Sequence, residues 1–280
     1  MKAKVQHLSL YNYSSPVFLE SQEIRLCPRN DYNLKVINFS YKIDPEPSSS
    51  SIIIDSEGNS LIKAWFNQKT DFFRVETLWE AENTNQNEYN FIIHFDNTEL
   101  PVRYSSMNEK PLKVYRTIET PGLSVKAFSD SLASKTENDI LTFLIELTGE
   151  IYNTFTYEKR EKGEPYSPEF TLKAKTGSCR DLAVLFMECC RYQGFASRFV
   201  SGYRIDKDSI ENTDLHAWCE VFIEGAGWKG FDPSMGLAVT NEYFTLSSSY
   251  SSFITLPIIG SYRSNYSFSE LKTLINAEIL

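Results

Sequence analysis

The chain has 280 residues, 41% of them hydrophobic, and 28 basic against 37 acidic side chains give a formal net charge of −9. An acidic surface without a run of basic residues argues against nucleic acid or an anionic membrane as the main partner, and no apolar run approaches the roughly 18 residues of a membrane span. The length allows one large or two ordinary domains with substantial cores.

The first ten residues carry Lys2 and Lys4 but no apolar h-region or small-residue cleavage site, so they read as a first strand and no secretion is expected. From there to about residue 105, alternating or aromatic runs predict seven short strands, at 5–13, 23–26, 35–43, 51–54, 61–66, 71–79 and 89–95. Turn chemistry separates them at 28–31, 45–48, 55–59 and 83–87. The Ser48–Ser51 tract reads as a flexible turn. Strands at this spacing predict an antiparallel β-sandwich. His7 and His94 each stand alone in a strand pattern, with no second ligand spaced to join them, and are read as structural or surface residues.

The polar stretch 104–121, with prolines at 111 and 121, is the expected linker between an N-terminal domain, 1–110, and a second domain, 111–280. Helical periodicity follows at 125–132 and at 137–155, where Ile140, Leu144, Leu147, Ile151 and Phe155 line one face and Thr136 is the expected N-cap. A loop rich in Gly, Pro and charge, 157–167, leads to Thr176-Gly177-Ser178-Cys179-Arg180-Asp181-Leu182-Ala183.

From Asp181 the apolar spacing of Leu182, Leu185, Phe186, Cys189 and Cys190 predicts a helix that Gly194 stops. Cys179 therefore lies at a helix N-terminus, where unpaired backbone N–H groups and the helix dipole stabilise a thiolate. Downstream, Leu215 to Ile223 alternates as a strand carrying His216, and a second strand after the turn at 225–227 ends on Asp232. A three-residue loop, 224–226, would set Asp232 opposite Trp218 and diagonal to His216. A thiol poised to ionise, an imidazole and a carboxylate are the parts of a nucleophile, a base and an orienting group. Trp218 shares the strand face of His216 by period two and is the candidate wall of the site.

Gly-Ser-Cys-Arg-Asp-Leu-Ala (177–183), Arg-Phe-Val-Ser-Gly-Tyr (198–203), His-Ala-Trp-Cys-Glu-Val (216–221) and Gly-Trp-Lys-Gly-Phe-Asp-Pro (227–233) together resemble the core of the transglutaminase-like superfamily, a branch of the papain-like cysteine enzymes. The likeness runs over roughly residues 120–280. Tyr11-x-Tyr13-x2-Pro16-Val17, Leu26-Cys27-Pro28-Arg29 and Asp55-x2-Gly58-Asn59 resemble the N-terminal domain that accompanies bacterial members. The resemblance implies an α+β chain: an N-terminal β-sandwich, then a papain-like core whose nucleophile sits at a helix N-terminus packed on an antiparallel sheet. It further implies a Cys179-His216-Asp232 triad forming a thioester from amide bonds of a protein or peptide substrate. The Cys179 backbone N–H and a side chain N-terminal to it, with Tyr157 the candidate, would supply the oxyanion donors.

Hydrolysis is expected over transamidation. The alternatives are crosslinking transglutaminase activity, an arylamine acetyltransferase using coenzyme A, and a non-catalytic interaction protein on the same fold. No cofactor or metal is expected. The acidic segment 206–214 lacks the glycine and terminal glutamate of an EF-hand and reads as a solvated loop. The cysteines lack the paired spacing of a zinc site. Five cysteines, with Cys189 and Cys190 adjacent, suggest a reduced, cytoplasmic protein.

Overall fold

The computed structural model of the chain describes residues 1–93, 98–118, 122–160, 163–206 and 213–280. His94 and Phe95, and residues 207–212 of the acidic segment, lie outside the described residues. Among the described residues the fold is mixed α and β, mostly strands with five helices, and two antiparallel sheets organise it.

The first sheet is built around β1 (Lys2–Ile24), a single strand of 23 residues where two short ones were expected. β2 (Leu34–Asp44), β3 (Ser49–Ile54), β4 (Ser60–Trp65) and β5 (Lys69–Asn83) follow. β1 is long enough to change partners along its length. Its first half pairs with β5 on one side, and its second half with β4. The pairing with β5 breaks between Asn12 and Val17, around Ser14-Ser15-Pro16, as expected where proline cannot donate to the ladder. On the other side of β1 lie β14 (Ser269–Ile279) along the first half and β13 (Ile258–Arg263) along the second.

Two expectations are corrected here. The N-terminal region is one curled sheet of seven strands, not a two-sheet sandwich, because every other strand is organised by pairing on or beside β1. The chain also does not divide at residue 110 with all that follows in the core, since β13 and β14 return to the first sheet. The predicted strand at 89–95 is irregular over 89–93. Asparagine side chains bond locally there, Asn83 Oδ1 accepting from Asn85 N at 2.9 Å and Asn87 Oδ1 from Tyr89 N at 3.0 Å, and they favour turns over a ladder. Ser49–Ser51 fall inside β3, paired to Lys63–Trp65, and not in a turn.

Residues 98–118 lie against the core, with α1 (Ser106–Glu109) and a 3₁₀ turn at Val114–Arg116. Tyr104 is buried, its hydroxyl donating to Phe222 O and accepting from Ala196 N, both at 2.8 Å. α2 (Leu123–Lys135) and α3 (Ile140–Thr154) follow. The second helix starts at Asp139, whose carboxylate accepts from Thr142 N at 2.8 Å, and not at Thr136. Glu137 and Asn138 adopt positive φ (54° and 59°) and interrupt the helical path, so Thr136 instead bonds back to Leu132 O and Ala133 O at the end of α2. Then come β6 (Thr156–Tyr157), α4 (Pro168–Ala174), β7 (Thr176–Gly177), α5 (Cys179–Tyr192), β8 (Ser197–Arg204), β9 (His216–Ile223), β10 (Gly227–Asp232), β11 (Leu237–Ala238) and β12 (Tyr243–Ser249).

The second sheet has the order β11-β10-β9-β8-β12. Its two faces bury different partners. Phe199, Ala217, Cys219, Val221 and Phe231 join the helical core with Leu185, Phe186 and Cys189 of α5. Tyr203, Phe244 and Leu246 join Val5, Val75 and Trp79 of the first sheet. The core sheet is thus the middle layer, with helices on one side and the N-terminal sheet on the other.

The N-terminal landmarks carry this junction. Arg29 reaches Ser248 Oγ at 2.9 Å and Glu220 at 3.3 Å, and Glu220 also takes Arg198 at 2.6 Å. The Asn59 side chain exchanges a reciprocal pair of bonds with the backbone of Ser248, at 2.9 and 2.8 Å. His7 is buried at the same interface, its ring nitrogens bonded to Tyr203 Oη at 2.7 Å and Ser9 Oγ at 2.9 Å, which is the structural role expected of it.

Candidate active site

Cys179 is the first residue of α5, half-buried, with Ser178 as N-cap. The turn before it is held by Asp181, which is fully buried. Its carboxylate accepts from Ser178 N at 2.7 Å and Ser178 Oγ at 2.6 Å, from Arg160 Nε at 3.1 Å and a terminal guanidinium nitrogen at 2.5 Å, and from Tyr166 N at 2.7 Å. Burial alone would raise the carboxyl, but these donors outweigh it and hold its pKa below the usual range. Asp181 is the hub that fixes the turn before Cys179. Gly177 is required beside it, since a Cβ there would lie 2.8 Å from Asp181 Cβ.

β9 and β10 bring the imidazole and the second carboxylate. Ile223 pairs with Gly227, Phe222 with Trp228 and Cys219 with Phe231, so the loop is 224–226 and the next step of the register sets Asp232 opposite Trp218. Asp232 and His216 meet diagonally, Nε2 to Oδ2 at 2.6 Å. Asp232 is fully buried, and four donors saturate it: His216 Nε2 and Tyr243 Oη (2.9 Å) on Oδ2, Ser234 N (2.9 Å) and Ser234 Oγ (2.7 Å) on Oδ1. With Nε2 engaged by Asp232, the other ring nitrogen is left for the thiol, and His216 and Cys179 interact.

The electrostatics of the cluster follow from these contacts. Burial opposes a thiolate at Cys179, but the hydrogen bond and charge of His216, together with the Ala217 N–H, bring its pKa below the ordinary thiol value. Burial likewise opposes an imidazolium, yet Asp232 and the Cys179 partner raise His216 to about 10. Asp232 is lowered despite its burial, by His216, Ser234 and Tyr243. The arrangement favours a thiolate–imidazolium pair over neutral thiol and imidazole. The other four cysteines are buried, and burial pushes each of them up, Cys27 to about 11.

Tyr157 lies on β6, which pairs in parallel with β7 through Tyr157 and Gly177, two residues before Cys179. It is 52% exposed and interacts with Cys179. Partial burial and the Cys179 charge raise its pKa to about 12, so the hydroxyl keeps its proton and remains a donor. Trp218 is fully buried, 6.2 Å from the His216 ring at 30° and 5.2 Å from Tyr243 in an edge-on contact, so it backs the imidazole. Gly202 makes room for it, since a Cβ there would lie 2.7 Å from the indole and 2.3 Å from Phe244 O. Tyr243 and Ser234 escaped the sequence reading, although Ser234 stands only two residues beyond Asp232. Among the described residues no cluster of three or more His, Cys, Asp or Glu side chains could hold a metal.

Residues 126–233 match the model of the transglutaminase-like superfamily core, and residues 3–82 match the bacterial transglutaminase-like N-terminal region. The uncharacterised protein Rv2569c of Mycobacterium tuberculosis is 25% identical over 268 residues, covering 87% of this chain and 82% of that one. A shorter match, 27% identical over 100 residues, joins 30% of the chain to 14% of the uncharacterised protein YebA of Bacillus subtilis. Among solved structures, a protein of Cytophaga hutchinsonii described as a candidate cysteine protease superposes with a TM-score of 0.69 at 17% identity, over 98% of this chain and 91% of that chain. At that identity the likeness is one of fold.

Proposed function

We propose that this chain, a bacterial transglutaminase-like N-terminal region joined to a transglutaminase-like core, is a cysteine-dependent acyl-transfer enzyme that cleaves amide bonds of a protein or peptide. The observation that carries the reading is the unbroken run of contacts from Cys179 through His216 to Asp232, with Cys179 the one cysteine whose pKa is lowered. The Cys179 thiolate attacks the carbonyl carbon, and the oxygen takes the negative charge. The Cys179 backbone N–H, without an intrahelical partner at the first position of α5, and the Tyr157 hydroxyl donate to it. The His216 imidazolium gives its proton to the departing amine, and the C–N bond breaks to leave a thioester on Cys179. His216, now neutral, takes a proton from water, which attacks the thioester carbon. The acid leaves and the thiolate–imidazolium pair returns. Asp232 holds the ring orientation and balances its charge throughout.

Water resolves the thioester in this reading because it outnumbers any amine at the site; a lysine amine in the same step would instead yield an isopeptide. Incubation with a peptide library and a labelled primary amine, read by mass, tests both. Cleaved or deamidated peptides that vanish with Cys179→Ala are expected. Label on glutamine side chains in place of those products would convert the assignment to transamidation. Absence of either product, together with no acyl group on Cys179, would end the enzyme reading.

A further inference from the structure

A line of hydrogen bonds enters the triad from the N-terminal sheet. Asn83, the last residue of β5, is fixed by Met1: its N–H donates to Met1 O at 2.8 Å, and its own carbonyl accepts the Met1 ammonium at 2.5 Å. The Asn83 side-chain amide donates at 2.7 Å to the carbonyl of Tyr243, the first residue of β12. Phe244, next in the chain, packs on Trp79 of β5 with ring centroids 5.6 Å apart. Tyr243 is 2% exposed, and its hydroxyl donates at 2.9 Å to Asp232 Oδ2, the oxygen that also receives His216 Nε2.

We infer that Tyr243 acts on the triad through Asp232, moderating the charge that faces His216, and that the N-terminal sheet holds it there through Asn83, so that this region contributes to the chemistry at Cys179 as well as to stability. The inference rests on the reading of Cys179 as nucleophile. Ser234 already fixes Oδ1, so the placement of the carboxylate does not need Tyr243. What the tyrosine controls is the charge on the oxygen facing the imidazole. A carboxylate has about four acceptor sites, and here all four are filled. Without the hydroxyl, a fully buried Oδ2 would direct its charge onto the imidazolium alone. His216 would then hold its proton more tightly and deliver it to a leaving amine more slowly.

Among the described residues, the charged and titratable groups acting on this cluster are the following. Asp232, Arg204 and Glu242 act on Tyr243, Asp232 and Cys179 act on His216, and Tyr157, with Asp214 beside it, faces Cys179 and Asp232.

The test compares Tyr243→Phe, Asn83→Ala and, as a control at the same interface, Asn59→Ala, which removes bonds to Ser248 without touching Tyr243. The chain has three histidines, so the His216 ring can be followed by NMR and assigned with His216→Ala. Tyr243→Phe is expected to stay folded and to move the His216 titration up by about one pH unit. Asn83→Ala should move it the same way by less, and Asn59→Ala should lower the melting temperature while leaving it in place. A folded Tyr243→Phe with an unmoved His216 titration overturns the inference. So does an Asn59→Ala shift as large as that of Asn83→Ala, which would mark general loosening. Should Tyr243→Phe fail to fold, Asn83→Ala against Asn59→Ala decides. Iodoacetamide alkylation of the unsubstituted protein separates the two claims: if Cys179 is not preferentially labelled in acid, the nucleophile reading itself fails, whereas preferential labelling with an unmoved His216 defeats only the role of Tyr243.

Discussion

Replacing Asp181 by asparagine should destabilise the Cys179 turn more than almost any other single isosteric change in the core. The side chain is fully buried and takes donors from Ser178, Arg160 and Tyr166. An amide of the same shape keeps one acceptor oxygen but turns an N–H₂ group toward groups that also donate. It also leaves the Arg160 guanidinium, only 14% exposed, without its counter-ion. Breaking a buried pair by removing one partner costs about 3–5 kcal/mol. Taking about 3 kcal/mol, and about 2–4 °C per kcal/mol for a chain of this size, the melting temperature should fall by roughly 6–12 °C. Calorimetry or circular dichroism reads this directly. A double-mutant cycle with Arg160→Met should return a coupling of about 1 kcal/mol or more if the two side chains act together. A fall of less than about 1 °C, with zero coupling, would refute the view that Asp181 fixes the turn.

Two further outcomes follow from packing and charge. Glu220, held between Arg198 and Arg29, is lowered to about 2 by those cations despite its burial. A depressed carboxylate stabilises above its unfolded pKa of about 4.3, and that stability is lost as pH falls toward the folded value. Urea unfolding should therefore show stability declining from about pH 4.5 to pH 2, and Glu220→Gln should flatten part of that slope and lower stability at pH 7. Gly202→Ala would drive a Cβ into Phe244 O and the Trp218 indole. It should cost about 1–3 kcal/mol by denaturant titration, and a neutral result would show that β12 yields more easily than the packing implies.

The parts of the site set by local rules were legible in the sequence. The apolar spacing from Leu182 onward places Cys179 at a helix start, and a three-residue loop at 224–226 sets Asp232 opposite Trp218 by parity alone. Long-range pairing left no such local sign. Nothing in 258–263 or 269–279 indicates that these residues must join β1, because that choice depends on an open edge contributed by the other end of the chain. The reach of Tyr243 to Asp232 has the same character, since it crosses from β12 over β8 and β9 and requires the missing side chain at Gly202. The Asp139 cap was missed because the left-handed turn at Glu137 and Asn138 overrides their place in an otherwise periodic helical pattern. Arg29 and Asn59 were recognised as landmarks without a purpose. Their purpose is contact with the other sheet.

The central claim is that one thiol of five is activated, and the pH dependence of alkylation measures it most directly. At about pH 6 an ordinary thiol is less than roughly 1% ionised, and Cys27, Cys189, Cys190 and Cys219 are raised above even that by burial. Iodoacetamide at that pH, with the modified residues mapped by mass, should label Cys179 first and almost alone in the native protein, and His216→Ala should remove most of that acid reactivity. If Cys179 labels no faster than the other four, with the pH dependence of a free thiol and no response to His216→Ala, the account of this site as a thiolate–imidazolium centre is wrong.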